Sequence, residues 1–360
     1  MEISKIHEIA FSTEEIIVTA AVSSLDEIVM LMSSGKVIRY NIKDQKSHYL
    51  FSVKSNSTFT DGGFDINAPS TIYTMDSIVV IVNDYKLHGV IHYPSRYHSL
   101  RFRRKDYHAN ISCYPIALFK DKEDVPHLIY GEAWNHIQIM NLNTRLILTA
   151  SKSLIEEHAE ERHLEFYKNY KEDTKLSWPR PYDYFFGKLS MSPDNRHFPS
   201  AGWSWGSSDV YNVYEVDHFI NNNRIAAIEI DGWEHSNRGV CWMDNRTVAI
   251  TYNPLEEDDE GANKDAYNEI HFYKLEEGTF KKHKKIKVIG LDILTCQMYF
   301  NKDLNAMVLL TSKSGIVLVS LEGDLLLHDQ KNEIDTYNSH FNLFVKVDGT
   351  SVTLYQIKTK

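Results

Sequence analysis

Histidine, carboxylate and thiol side chains come first, because hydrolysis, metal binding and redox chemistry draw on them. Seventeen histidines are scattered over 360 residues. His158 and His163, flanked by Glu157 and Glu161, lie five positions apart. On a helix they would point about 140° apart, whereas a His-Glu-x-x-His zinc helix needs its histidines at i and i+4. That pair reads as a solvated helix face, and neither a metal nor any other cofactor is implied. The acidic stretch 255–269, LEEDDEGANKDAYNE, has the composition of a calcium loop without its Asp-x-Asp-x-Asp-Gly order. It reads as a hairpin tip. The sequence contains no Gly-x-Ser-x-Gly elbow, no phosphate-cradling glycine loop and no Cys-x-x-Cys pair. Cys113, Cys241 and Cys296 are far apart, each within an apolar run. They are expected to be buried thiols of a reducing compartment.

The aromatic residues offer recognition instead of catalysis. Trp203 and Trp205 sit in AGWSWGSS (201–208), one residue apart. On a strand both rings would face the same way, and the small residues around them would let another molecule approach. Trp203, Trp205, Asp209, Trp233 and Trp242 are the candidate partner-binding residues, since rigid rings near strand ends anchor partners. Packing in the wedge between two sheets is the competing use of each tryptophan.

The elements that must position these side chains are short and β-like. Residues 15–53 hold four runs rich in Val, Ile, Tyr and Met, separated by Ser-Leu-Asp-Glu, Ser-Ser-Gly-Lys and Lys-Asp-Gln-Lys. This is an antiparallel meander of four strands. The pattern recurs over 71–104, 114–150 and 184–230, and twice more before the carboxyl end. First strands align near Val22, Ile72, Ile116, Lys188, Val240, Cys296 and Asn342, a period of roughly 50 residues, within the range of propeller repeats. A single meander cannot bury both of its faces, and stacking such sheets around an axis covers them. Residues 340–358 supply two or three strands and residues 5–12 supply one without a sequence neighbour. Joined, they make a seventh blade that closes the ring and ties down both ends.

The turn Ser192-Pro193-Asp194-Asn195-Arg196 is similar to the SPDG(K/R) hairpin of WD40 repeats, with weaker relatives at Met243–Arg246 and Asn301–Asn305. Over nearly its whole length the chain resembles the WD40-like and YVTN-like seven-bladed β-propeller superfamily. The Gly-His and Trp-Asp dipeptides of strict WD40 repeats are absent, so the resemblance implies an architecture and transfers no functional residue. The expected fold class is all-β: a seven-bladed β-propeller of four-stranded antiparallel blades spanning 1–360, its last blade closed by the N-terminal strand. One helical insertion is expected at 153–181, between blades 3 and 4. There Ser153 and Glu156 have capping-box spacing, and Leu154, Ile155, Leu164 and Phe166 supply an apolar helical face.

Two basic tracts, 96–105 and 281–287, fall on expected outer strands, where Lys and Arg discourage edge-to-edge pairing. The net charge of −10 opposes binding to nucleic acid. No signal peptide opens the sequence, and no apolar run approaches the roughly 20 residues that span a bilayer. A cytoplasmic protein without a membrane partner is expected. The functional expectation is a non-catalytic propeller scaffold that binds another protein or peptide. Its alternative is a propeller enzyme, a hydrolase or lyase acting on a carbohydrate or lactone through axial acids and histidines, the acids drawn from Glu132, Asp183, Asp209, Asp231 and Asp292.

Overall fold

The computed structural model describes residues 1–11, 15–54, 62–169, 181–206, 208–234, 237–254 and 267–358, with residues 167, 169, 231–234 and 267 described by their backbone alone. Strand β1 (Glu2–Ala10) stands apart from its sequence neighbours. Blade 1 follows as β2 (Ile17–Ser24), β3 (Glu27–Met32), β4 (Lys36–Asn41) and β5 (Lys46–Ser52), and blade 2 as β6 (Ser70–Met75), β7 (Ile78–Asn83), β8 (His88–Tyr93) and β9 (Tyr97–Arg103). Blade 3 contains β10 (Ile116–Lys120), β11 (Pro126–Ala133) and β12 (His136–Asn141), after which comes helix α1 (Ala159–Asn169). Blade 4 is β13 (Phe185–Leu189), β14 (His197–Ser204), β15 (Ser208–Glu215), helix α2 (Val216–Asn221) and β16 (Ile228–Glu234). Blade 5 is β17 (Val240–Trp242), β18 (Thr247–Tyr252), β19 (Tyr267–Glu276) and β20 (Thr279–Ile289). Blade 6 is β21 (Cys296–Asn301), β22 (Ala306–Thr311), β23 (Gly315–Ser320) and β24 (Leu325–Asp329). Blade 7 is β25 (Thr336–Asn338), β26 (Leu343–Asp348) and β27 (Ser351–Lys358), with β1 paired antiparallel to β27 as its outermost strand. The expected closure by the N-terminal strand is therefore present.

The core is divided among the seven wedges between blades. Ile28, Met30 and Met32 of β3 pack with Val345 and Leu354 of blade 7, while Val29 and Leu31 of the same strand pack with Ile72, Val79 and Ile81 of blade 2. Alternate side chains of a strand point to opposite faces, and each second strand has a blade on either side. That is why β3, β7 and β22 read as unbroken apolar runs, IVMLM, IVVIV and AMVLL, instead of alternating. The basic tracts lie on outer strands, as expected. In β20 the lysines 281, 282, 284 and 287 face solvent while Phe280, Ile286 and Val288 point inward. Arg101 of β9 has a further role: its guanidinium donates to the carbonyls of Val53 (2.7 Å) and Lys54 (2.8 Å) across in blade 1.

The Ser-Pro-Asp-Asn turn is scaffold. It joins β13 to β14, with Asn195 in the left-handed region (φ 59°) and its N–H donating to Ser192 O at 2.9 Å. The Ser192 hydroxyl donates to Asp194 Oδ1 (2.7 Å) and accepts from the His197 N–H (2.9 Å). Asn305 repeats the left-handed position in the turn between β21 and β22 (φ 48°).

Four expectations need correction. Blade 3 has three strands, and residues 146–149 lie along its outer edge through one bridge, Met140 to Ile147, with the Ile139 N–H donating to Thr149 Oγ1 at 2.9 Å. The first strand of blade 7 is Thr336–Asn338, upstream of Asn342. The short polar run TYN carries almost no β signal of its own. Helix α1 starts at Ala159, and Ser153 does not cap it. The Ser153 N–H donates to Asn223 O (2.8 Å) and Glu156 bridges to Ile225 in parallel, so a pairing with blade 4 replaces the helical first turn. Leu164 is exposed rather than packed. Helix α2 lies in the connection between β15 and β16, and blade 4 keeps its four strands. The acidic stretch 255–266 and residues 170–180 lie outside the described residues.

Several buried and half-buried histidines make stability pH-dependent. Burial lowers the pKa values of His92, His136, His197 and His271 below the ordinary 6.5. His271 is stacked on Tyr252 (4.3 Å between ring centroids) and contacts Glu269 Oε2 at 2.7 Å. Burial alone would raise the pKa of Glu269, but hydrogen bonds from His271 and Lys285 outweigh it and lower it on balance. A group with a depressed folded pKa stabilises above its unfolded pKa, and that stability is lost as the pH falls. The melting temperature is accordingly expected to fall steadily from pH 7.5 to 5.5, through the histidine range, and again below 4.5 as Glu269 is protonated. A melting temperature that is flat or rising over pH 7.5 to 5.5 would contradict this.

Candidate partner-binding site

Inner strands all run in one direction, so the turn after each second strand and the connection leaving each fourth strand return to the same face of the ring. Three segments meet on that face. The connection from β9 to β10 supplies Tyr107, His108 and Ser112, the β11–β12 turn supplies Trp134, and blade 4 supplies Phe185, Trp203 and Trp205.

Local backbone geometry places the tryptophans. Phe185 pairs with Trp203 and Lys188 with Ala201, so Phe186 and Gly187 together oppose Gly202 in a bulge. A Cβ on Gly187 would collide with the Ala201 carbonyl, and one on Gly202 with the Phe185 carbonyl. Glycine at both positions lets the two backbones close up, and the Phe185 and Trp203 rings stack at 3.7 Å with an 8° tilt. Trp203 Nε1 donates to Ser112 Oγ (2.9 Å), tying blade 4 to the preceding loop. Trp134 lies 4.4 Å from Phe185 on the other side. Trp205, in the turn, stands edge-on to Phe185 at 5.0 Å and 87°. Phe185 is fully buried, whereas Trp205 is 51% exposed and Tyr107 is 48% exposed. Replacing Trp203 with Phe keeps the stack and loses the bond to Ser112, an expected cost of about 1 kcal/mol by denaturant titration.

Arg104 shapes the loop. It is buried, donates to the carbonyls of Lys86 (2.8 Å), Ala109 (2.8 Å) and Ser112 (2.9 Å), and lies over the Tyr114 ring at 4.5 Å. Beside the cluster opens a cavity of about 550 Å³ bounded by Lys105, Tyr107, Glu132, Trp134 and His136. Glu132 accepts from Gln138 (2.8 Å) and pairs with His136 Nδ1 (3.1 Å).

Sequence reasoning brought two of its five candidates to this place, Trp203 and Trp205. Asp209 is buried and committed to Arg238, with Nε to Oδ2 and Nη2 to Oδ1 both at 3.0 Å. Trp242 is buried in the wedge between blades 4 and 5 with Val248 and Phe280. Burial removes both from a contact surface. The side chain of Trp233 lies outside the described residues, as does that of Asp231. Tyr107, His108 and Phe185 were missed as members of this cluster, because nothing local marks residues that converge from three segments.

The axis carries different chemistry. Lys188 of β13 is solvent-accessible within the ring of inner strands. Burial would lower its pKa, yet Tyr299, Cys113, Asp84 and Cys296 together hold it above the ordinary lysine value. Burial pushes the Cys113 thiol up to about 11 and the Cys296 thiol up to about 12, so both remain protonated at neutral pH and are poor nucleophiles. All three cysteines are free, and Cys241 is buried while Cys113 and Cys296 are partly accessible. Of the expected axial acids, Asp183 is exposed, Asp292 pairs with Lys313 (2.7 Å) and Glu132 belongs to the cavity beside the aromatic cluster. At the opposite end of the axis a cavity of about 330 Å³ is lined by Val22, Tyr73, Thr74, Met191 and Asn338 among others, with no acid or imidazole among its described lining residues.

No family model and no curated protein matches the sequence. Among solved structures, the chain is similar to the WD40 domain of Neurospora crassa Pan2, with a TM-score of 0.55 and 10% identity over 99% of this chain and 96% of that one. The fold is that of a WD40-like propeller. At that identity the likeness concerns the fold alone. In this WD40-like propeller the aromatic cluster sits on one face of the ring, where the β9–β10 connection and the β11–β12 turn meet blade 4. No helix among the described residues is long and apolar enough to cross a membrane.

Proposed function

We propose that the chain is a non-catalytic, cytoplasmic scaffold that binds a segment of another protein on the face carrying Tyr107, Trp134, Trp203 and Trp205. The observation that supports this reading is the graded exposure of the cluster. Phe185 and Trp203 form a rigid stacked base, and two large rings, Tyr107 and Trp205, rise from it half-exposed. Exposed Trp and Tyr on a rigid base, beside a cavity, have the composition of an interface hot spot. Helix α1 lies between the same two blades in sequence and adds a second element that a partner can reach. WD40-like propellers commonly serve as protein-interaction scaffolds, which agrees with this reading.

Trp205→Ala separates recognition from folding. The side chain is half-exposed at a turn, so its removal is expected to change stability by no more than about 0.5 kcal/mol while weakening partner capture by at least about tenfold. The measurement is site-specific photocross-linking from position 107 in cells, comparing the wild-type chain with Trp205→Ala. A cross-linked band that is equally strong in both would refute this surface. The alternative, a hydrolase or lyase, draws on Lys188 and Asp84 near the axis. Turnover abolished by Lys188→Met and unaffected by Trp205→Ala would favour it.

A further inference from the structure

His108 occupies the aromatic cluster as a guest. Its ring centroid lies 4.4 Å from that of Tyr107, 5.3 Å from Phe185, 5.5 Å from Trp205 and 5.8 Å from Trp203, and its plane makes 82° to 88° with all four. Phe185 is near-parallel to Trp203 (8°) and Tyr107 (22°), and Trp205 stands at 87° to Phe185. The rings therefore take three mutually perpendicular orientations, two walls of a corner and one flat group held edge-on inside it. Among the described residues nothing hydrogen-bonds the imidazole. The residue is set there with φ at 53°, a left-handed conformation that side-chain-bearing residues disfavour, in a turn where the Ser112 N–H donates to His108 O at 3.1 Å. An imidazole held by ring contacts alone is a replaceable occupant.

We propose that this corner is a subsite for one arginine side chain of the partner segment, with His108 as the intramolecular occupant that arginine displaces. The inference rests on the reading of this face as a protein-binding surface. A cation in place of the imidazole would lie within about 6 Å of four ring centroids, the reach of a cation–π contact. A guanidinium is flat, as the imidazole is, and loses its water more easily than an ammonium, so the corner selects arginine over lysine. The chain's charge of −10 draws cationic segments toward it. Exposure of Tyr107 and Trp205 leaves the corner open from solvent.

The test uses the full chain and Nα-acetyl-arginine methylamide as probe, with its lysine and citrulline counterparts, followed by tryptophan fluorescence and by NMR of the His108 ring protons. Saturable binding of the arginine probe is expected, at least about tenfold tighter than either counterpart. On saturation the His108 ring protons should move from positions shifted by the four rings toward ordinary ones. His108→Gly empties the corner and suits the left-handed backbone, and it should bind the probe at least about tenfold tighter than wild type. Trp205→Ala, with an unchanged melting curve, should lose binding. Equal affinity for citrulline, a His108→Gly chain that binds no tighter, His108 signals unmoved by bound probe, or no binding in any variant each overturns the subsite. Cross-links to a partner that persist without arginine selectivity reject the subsite and keep the surface. Arginine binding without any cross-linked partner rejects the surface reading.

Discussion

A chain lacking residues 2–10 is expected to lose the closure of the ring. Strand β1 pairs with β27 from Glu2 opposite Lys358 to Ala10 opposite Ser351. Its Ile9 is buried with Ile17 and Val352, Ile6 packs on the same cluster, and Ile3 packs against the wedge between blades 6 and 7. Removing three apolar side chains of this kind costs roughly 5 kcal/mol, and it also uncovers the outward row of N–H and C=O groups on β27, an edge prone to pairing with other chains. The expected result is a fall in melting temperature of at least about 10 °C, with concentration-dependent aggregation. A synthetic peptide of residues 1–11 added in trans should restore much of the loss. A truncated chain that melts within about 2 °C of the intact one would show that β1 is not the closing element.

Comparable destabilisation is expected at the junction of blades 4 and 5. Asp209 and Arg238 are both buried, joined by two bonds of 3.0 Å. Around them the Tyr211 hydroxyl donates to the Arg238 carbonyl (2.8 Å) and lies 3.3 Å from Asp209 Oδ2. Arg238→Ala or Asp209→Ala alone leaves one charge buried without its partner, and each is expected to cost about 3–5 kcal/mol in denaturant titrations. The paired replacement Asp209→Leu with Arg238→Met removes both charges and fills the space with apolar atoms. It should recover most of the loss, because the pair's own attraction only offsets the cost of taking both charges out of water. Additive losses in the double variant would argue instead that each residue acts through packing alone.

The architecture was readable because its causes are local and repeated. Unbroken apolar runs such as IVMLM require a neighbour on both faces, turn signals recur at a regular period, and the lone amino-terminal run completes an otherwise short last blade. Where a segment's local preference was weak or its partner distant, the reading failed. TYN is too short to show a strand, and Ser153 and Glu156 have the spacing of a helix cap but pair with Asn223 and Ile225 instead. In that contest the tertiary pairing with blade 4 satisfied backbone groups that a first helical turn would have left open.

The site divides along the same line. By itself the sequence determined that Trp203 and Trp205 share a strand end and therefore a neighbourhood, that a Ser-Pro-Asp-Asn hairpin precedes them, and that seven sheets close around an axis, since each follows from spacing and side-chain type within a few residues. Only the tertiary structure decided that Phe185 would lie beneath Trp203, that Tyr107, His108 and Trp134 would arrive from other segments, and that Asp209 and Trp242 would be buried. Those outcomes depend on how neighbouring blades meet, and the packing of surfaces that are distant in sequence leaves no periodic trace in any one of them.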